Sequence, residues 1–218
     1  MPDPSTLGVF LLASLALLVV PGPAVMYIMA RSLQQGRRAG LASVLGIEVG
    51  GLIHVIAATL GLSALLASSA LAFSVVKYAG AAYLLYLGLR ALLGRAGTPD
   101  LHLPAPQALG RVFVQGVMVG GLNPKTALFF LAFLPQFVRP EAGPAAPQVL
   151  LLGMLFIGCA TVSDSLYALL ASTLGRWLQV RRNWARKQRY LSGGVYVALG
   201  VSTAVSGEAP GTRSVFAD

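Results

Sequence analysis

Apolar runs of about 20 residues recur along this chain, and each is long enough to cross the hydrocarbon core of a bilayer as one helix. The sequence is 56% hydrophobic and only 11% charged, whereas soluble globular domains are about 25% charged. It therefore predicts an all-α integral membrane protein with six transmembrane helices. Their approximate ranges are 6–29, 40–66, 70–93, 112–137, 148–174 and 190–206.

The basic residues are concentrated in alternate connections between these segments. Twelve of the 16 Lys and Arg residues fall in the first, third and fifth connections. Because cytoplasmic loops are enriched in Lys and Arg, we expect these connections in the cytoplasm and both termini outside. A five-crossing alternative, with the third segment re-entrant, would break this alternation. The twelve residues are Arg31, Arg37, Arg38, Arg90, Arg95, Arg111, Arg176, Arg181, Arg182, Arg186, Lys187 and Arg189.

The composition also disfavours several classes of function. The net charge of +9 is explained by the loop asymmetry, so no nucleic-acid partner is expected. Cys159 is the only cysteine, which leaves no internal disulfide and no thiolate metal cluster. The motifs of metalloproteases, serine hydrolases, P-loop NTPases and dinucleotide-binding enzymes do not occur in the sequence. We therefore expect neither an enzyme nor a bound cofactor or metal.

Helix-breaking residues interrupt two of the six segments. Pro21-Gly22-Pro23 interrupts the first, and Asn123-Pro124-Lys125 interrupts the fourth. Proline lacks a backbone N–H and clashes with the carbonyl four residues earlier, so neither helix can continue intact. Free backbone groups in hydrocarbon are costly unless other helices bury them or they line a polar cavity. Both breaks are therefore predicted to belong to one binding site.

The chain divides into two similar halves. The proline-rich connection at about 94–111 is interpreted as a cytoplasmic hinge between them. Pro21–Tyr27 in the first segment has its counterpart in Asn123–Phe129 in the fourth. Three helices per half place the second half upside down relative to the first, which is the inverted-repeat plan of secondary transporters. The predicted boundaries are 1–93 and 112–205 for the halves, 1–205 for the transmembrane domain and 206–218 for a disordered tail.

Three ionisable residues lie deep in the predicted membrane segments. At about 1.5 Å per helical residue, Glu48 lies about 15 Å past Arg38, and Asp164 lies about 18 Å before Arg176. Lys125 follows the second break at a similar depth. Each such residue costs roughly 2.5 to 3.5 kcal/mol to insert, which favours a functional role. The structural alternative is that Lys125 pairs with Glu48 or Asp164 to hold the bundle together.

One base and two acids leave one carboxylate without a partner. Such a carboxylate can bind and release a proton near neutral pH, so Glu48 and Asp164 are candidates for proton coupling. His54, on the same segment as Glu48, is a further candidate, with a hydrogen-bonded structural histidine as the alternative. Separately, small residues four positions apart are expected to let the second and fourth helices approach closely. They are Gly46, Gly50, Gly116 and Gly120.

Several short motifs follow one another along nearly the whole chain. They are Pro21-Gly22-Pro23, the stretch 31–40, Gly80-Ala81-Ala82-Tyr83-Leu84, Gly88-Leu89-Arg90, Leu122-Asn123-Pro124-Lys125 and Phe133-Leu134-Pro135-Gln136-Phe137. In this order and spacing they resemble the lysine exporter and homoserine/threonine resistance (LysE/RhtB) transporters. The resemblance implies an exporter of amino acids or related small metabolites in the bacterial inner membrane, driven by an ion gradient.

The sequence and the resemblance together predict a secondary active exporter of an amino acid, coupled to protons. A homodimer is also expected. A half-helix N-terminus or Lys125 would bind the substrate carboxylate, and Glu48 or Asp164 its ammonium group. The alternative is a channel or a cation (metal ion) efflux protein, which Lys125 disfavours because it would repel a cation. The predicted substrate-binding residues are Pro21, Gly22, Pro23, Glu48, Asn123, Pro124, Lys125 and Asp164, and the predicted proton-coupling residues are Glu48, His54 and Asp164.

Overall fold

The computed structural model describes residues 4–68 and 105–178, together with isolated helical positions between 75 and 93 and between 194 and 204. The two continuous ranges contain helices and short connections, without a strand. The α-helices are α1 (Pro4–Val19), α2 (Pro23–Gln35), α3 (Arg37–Ser68), α4 (Leu109–Gly121), α5 (Pro124–Leu128) and α6 (Ala145–Leu178). A π-helical turn (Phe129–Phe133) and two 3₁₀ turns (Leu134–Phe137 and Pro140–Ala142) connect α5 to α6.

Within the described ranges, three helical stretches are long and apolar enough to cross a bilayer. They are Arg37–Gly61, Leu109–Phe137 and Ala145–Thr173, and the bent pair of α1 and α2 would make a fourth span. These four correspond to the first, second, fourth and fifth predicted segments, which confirms an all-helical, multi-pass membrane protein. The third and sixth segments, most of the hinge and the tail lie outside the two continuous ranges. The six-helix inverted repeat therefore stays a prediction.

The first break separates α1 from α2 by a bend of 53°. Pro23 occupies the first helical position of α2, where its missing N–H costs nothing. The break leaves the last carbonyls of α1 without helical partners, and side chains from the second half of the chain bind them. Tyr167 Oη donates to the Val19 carbonyl at 2.8 Å, and Lys125 Nζ donates to the Val20 carbonyl. Residues of α5 and α6 therefore complete the hydrogen bonding of the first break.

The second break lies between α4 and α5. The Asn123 side chain caps α5 by accepting a hydrogen bond of 3.1 Å from the backbone N–H of Lys125. Pro124 then occupies the first helical position, as Pro23 does in α2. Both prolines thus begin a helix, although the pairing predicted from the sequence places Pro124 opposite Gly22 and not opposite Pro23. The breaks themselves occur where the sequence predicts them.

Close contact between α3 and α4 depends on glycine. A Cβ atom at Gly46 would lie 2.2 Å from the Phe113 carbonyl oxygen, and one at Gly50 would lie 2.3 Å from that of Val117. On the other side, a Cβ atom at Gly120 would lie 2.3 Å from the Ile47 carbonyl oxygen. These distances are shorter than any real van der Waals contact. The predicted packing role of the small residues is therefore confirmed.

An aromatic cluster fills the end of the bundle beyond the second break. The rings of Phe129 and Phe156 stack at 4.5 Å, and those of Phe10 and Phe137 meet edge to face at 5.2 Å. Offset and edge-to-face contacts of this kind stabilise aromatic pairs beyond their buried area. The buried members of the cluster are Phe10, Phe129, Phe130, Phe133, Phe137 and Phe156.

The opposite, arginine-rich end differs from the prediction. Arg31 is expected in a loop, but α2 continues to Gln35 and buries Arg31 to 3% exposure. The connection from α2 to α3 is a single residue, Gly36, whose φ of +78° favours glycine. The assignment of Arg31 to the loop was therefore wrong, because the helix extends beyond the apolar stretch from which its end was judged.

Candidate functional site

A cavity of about 40 Å³ lies between the two breaks. Gly22 of the first break and Asn123 and Lys125 of the second line it. Glu48 on α3 and Asp164 on α6 complete its polar wall. Residues from distant parts of the chain therefore converge because both breaks and both acids lie at similar depths in the bundle.

Lys125 links the first break to the charged wall of the cavity. Its side chain is 7% exposed, and its Nζ atom donates a hydrogen bond to the Val20 carbonyl. Its aliphatic part lies against Gly22, where a Cβ atom would approach Lys125 Cδ to 3.1 Å. Within the described ranges Lys125 forms no ion pair with either acid, although its charge attracts that of Asp164. Lys125 is thus held by a backbone carbonyl and not by the acid–base pair of the structural alternative.

Glu48 and Asp164 are both buried beside this cavity. They are 8% and 4% exposed, and both line the same cavity. Glu48 Oε1 is buried without a hydrogen-bond partner in the described part of the chain. A buried acceptor left without a donor is costly, about 1–3 kcal/mol for an uncharged group and more for a charged one. The structure thus leaves one Glu48 oxygen without a donor among the described residues, while the sharing of one base between two acids stays a prediction.

The other residues predicted for the site lie around it. Pro21, Pro23 and Pro124 shape the breaks, but they do not line the cavity. His54 also lies outside the lining, where its Nε2 atom is 3.2 Å from the Gly120 carbonyl oxygen and its ring stacks on Phe130 at 6.4 Å. These contacts favour the structural interpretation of His54.

The N-terminus of α2 opens toward the same cavity. Gly22 precedes the helix and supplies no side-chain cap, while Ala24 and Val25 of the first turn line the cavity. The first N–H groups of a helix have no intrahelical partner, and the helix dipole makes this end attractive to anions. Together with Lys125, the start of α2 provides the positive side of the site.

Apolar residues form the remaining wall. They include Leu17, Ile47, Phe156 and Ile157. A volume of about 40 Å³ holds a few water molecules, whereas sites for small organic ligands have volumes of roughly 300 Å³ or more. A substrate larger than a few water molecules therefore needs more room than this cavity provides.

Two residues with polar contributions to the site were not predicted from the sequence. Tyr167 binds a carbonyl of the first break, and Thr126 lines the cavity. Tyr167 follows Asp164 by three residues, so the two share a face of α6. The sequence could have indicated Tyr167, because it is a polar residue one helical turn from the buried Asp164. The described ranges contain no group of three or more His, Cys, Asp or Glu side chains that could hold a metal ion.

A multi-pass bundle in which two broken helices surround a buried charged cavity has the architecture of a secondary membrane transporter. Comparison with known proteins identifies the family to which this chain belongs. The profile of the LysE type translocators matches residues 15–207, and the chain belongs to this family. The resemblance noted in the sequence is therefore confirmed, and the family indicates a transporter.

Relatives cover most of the chain. A homoserine/homoserine lactone efflux protein of Salmonella typhimurium is 37% identical over 171 residues, which are 78% of this chain and 82% of the relative. An uncharacterized membrane protein of Vibrio cholerae is 30% identical over 200 residues, covering 90% of this chain and 95% of that protein. No solved structure shows a significant match. The family and these names support an exporter of small metabolites.

Proposed function

We propose that this protein is a secondary active exporter of amino acids or closely related small metabolites, coupled to protons and located in the bacterial inner membrane with both termini outside. The observation that carries the proposal is the cavity at the two helix breaks, where one ammonium group and two carboxyl groups are buried together. Such a set complements a zwitterion, which itself carries one carboxylate and one ammonium group.

The positive side of the cavity recognises the substrate carboxylate. Lys125 and the first-turn N–H groups of α2 line this side. The carboxylate would replace the Val20 carbonyl as an acceptor for Lys125 Nζ, because a charged acceptor forms the stronger hydrogen bond. The site must widen beyond about 40 Å³ to admit the substrate, so binding is linked to movement of the helices around the breaks.

The acidic side binds the substrate ammonium group and the proton in turn. Glu48 or Asp164 serves this role, and the Glu48 oxygen without a donor supports it. One carboxyl group cannot hold a proton and form an ion pair with the ammonium group at the same time. Competition of this kind converts an inward proton gradient into outward movement of substrate.

The test is export from proteoliposomes with the membrane potential clamped. Homoserine is a suitable first substrate, because it carries a carboxylate and an ammonium group and the Salmonella relative is named for homoserine/homoserine lactone efflux. We expect an imposed pH gradient to drive uphill movement, and its removal to stop it. Uphill export that continues unchanged without a pH gradient would contradict proton coupling. Inhibition by divalent metal, with transport of the metal itself, would favour the cation efflux alternative.

The acidic side is tested by replacing each carboxylate with its amide. Glu48→Gln and Asp164→Asn should each reduce proton-driven export at least about tenfold, since losing a charge-assisted contact removes roughly 1.5–3 kcal/mol. Both variants should insert normally, because removing a charge from the membrane interior favours insertion. Glu141→Gln, in the exposed connection before α6, is the matched control and should export normally. Normal export by both site variants would show that the carboxylates are structural.

A further inference from the structure

Arg31 is a buried cation without a carboxylate partner in the described part of the chain. Its guanidinium donates to neutral oxygens: Gln115 Oε1 at 2.8 Å, the Ala105 carbonyl at 3.2 Å and Gln35 Oε1 at 3.3 Å. Its Nε atom is buried and has no hydrogen-bond partner among the described residues. A buried charge is normally paired, and neutral acceptors bind a guanidinium less strongly than a carboxylate does. The position therefore has unused capacity for an anionic group.

The hydrogen bonds of Arg31 belong to a network that ties α2 to the beginning of α4. Tyr27 Oη donates to the Val112 carbonyl at 2.9 Å and lies 3.3 Å from Gln115 Oε1. Gln35 Nε2 donates to the Gln107 carbonyl at 2.7 Å. The contacts of Tyr27 reach α4, and that of Gln35 reaches the predicted hinge just before it. The network thus holds α2 against the start of α4 at the arginine-rich end.

An apolar cluster lies between this network and the charged cavity along α2. Ala24, Ile28 and Arg31 lie on one face of α2, because they are four and three residues apart. Ala24 lines the cavity, and Ile28 is fully buried in a small cluster one turn further along. The cluster consists of Ala24, Ile28, Val44, Ile47 and Ala168. The cluster therefore lies between Arg31 and the cavity along α2.

We propose that Arg31 is the loading site, where the substrate carboxylate first binds. Its hydrogen bonds to Gln115 and to the Ala105 carbonyl are also the latch, which keeps the apolar cluster around Ile28, the cytoplasmic gate, closed. The incoming carboxylate replaces Gln115 Oε1 and the Ala105 carbonyl as acceptors for the guanidinium. It forms the two parallel hydrogen bonds that a guanidinium favours. Loss of those neutral bonds weakens the attachment of α2 to α4, where the bond from Tyr27 to the Val112 carbonyl remains, and lets the apolar cluster around Ile28 open. The inference rests on the proposed function for the direction of transport and for the carboxylate of the substrate.

The gate can be followed by the reactivity of one thiol. Ile28→Cys is introduced together with Cys159→Ser, and inside-out vesicles are treated with a small maleimide. We expect slow reaction in this background and acceleration by homoserine. Homoserine lactone has no free carboxylate and should leave the rate unchanged. Acceleration by both compounds, or by neither, would overturn the assignment of Arg31 as a carboxylate site.

The latch is tested without any substrate. Arg31→Gln should raise the basal reaction rate about tenfold, since each lost hydrogen bond contributes about 1 kcal/mol. Arg38→Gln removes an exposed arginine from the same end and is the matched control, with no expected effect. Equal rates in the Arg31→Gln and parent proteins would overturn the latch. Because these rates need no export, they separate failure of the latch from failure of the proposed transport.

A second variant covers the case in which Arg31→Gln does not fold. Gln115→Met keeps the size of the side chain but removes the acceptor that Arg31 and Tyr27 share. It should raise the basal reaction rate of the thiol introduced by Ile28→Cys, while acceleration by homoserine persists because Arg31 is intact. A basal rate equal to that of the parent would contradict the latch, and loss of the response to homoserine would contradict loading at Arg31.

Discussion

Lys125 combines two roles that are usually separate in a membrane protein. It donates to a carbonyl freed by the first break, and it supplies the positive charge opposite Asp164. The first role is structural and the second is available to a substrate. A substitution at this position therefore affects the stability of the bundle as well as export.

Lys125→Met tests both roles of the lysine, and Asp164→Asn provides the comparison. The variant leaves the Val20 carbonyl without its donor and removes the cation that faces Asp164. We expect export to be lost and the free energy of unfolding to fall by about 1–3 kcal/mol, the cost of a buried unsatisfied group. Thermal unfolding in detergent, compared with Asp164→Asn, measures the difference. A Lys125→Met protein that is as stable as Asp164→Asn would show that the hydrogen bond to Val20 contributes nothing measurable.

At the scale of the helices, the contact between α3 and α4 sets how closely the breaks and the acids approach. Gly120→Ala should destabilise the protein by about 1–3 kcal/mol, because its Cβ atom would lie 2.3 Å from the Ile47 carbonyl oxygen and the helices would have to separate. Gly158→Ala is the matched control, since nothing lies within 4 Å of a Cβ atom there. Thermal unfolding of the two variants provides the comparison. Equal stability would mean that α3 and α4 can part without cost.

The sequence predicts the breaks well because proline acts through local sterics. Pro23 and Pro124 begin new helices whatever surrounds them, and charges in an apolar segment must face the protein interior. Partners are harder to predict, because they depend on the rotation and depth of packed helices. Nothing local indicates that Lys125 binds the Val20 carbonyl, or that Tyr167 binds that of Val19.

Arg31 shows the limit of counting charges. Loop enrichment assigns an arginine after an apolar run to the connection, but α2 continues past the run and tertiary hydrogen bonds bury the side chain. The π-helical turn Phe129–Phe133 was likewise not predicted. Such a turn needs one extra residue in the helical repeat, and apolar periodicity over five residues cannot distinguish it from an α-helix.

At the scale of the whole molecule, the orientation in the membrane is a prediction that two exposed positions can test. In a Cys159→Ser background, Glu141→Cys should react with a membrane-impermeant maleimide in intact cells. Arg38→Cys, at the arginine-rich end, should react only after permeabilisation, because that end is predicted to be cytoplasmic. Labelling of Arg38→Cys alone in intact cells would reverse the orientation and, with it, the direction assigned to the Arg31 gate.

The small size of the cavity gives the last prediction, which concerns the transport cycle as a whole. If the helices must widen the cavity around a substrate, filling it should block export without unfolding the protein. Ala160 lines the cavity on α6, so Ala160→Leu places extra methyl groups in the space of about 40 Å³. We expect export to fall at least about tenfold while overpacking costs no more than about 1–3 kcal/mol of stability.

Val162→Leu is the matched control, because it adds volume two residues away on an exposed face of the same helix. It should export normally. Export assays and thermal unfolding are to be measured on the same preparations of both variants. Normal export by a folded Ala160→Leu protein would mean that the substrate passes elsewhere in the bundle, and the two broken helices would then serve the fold and not the path.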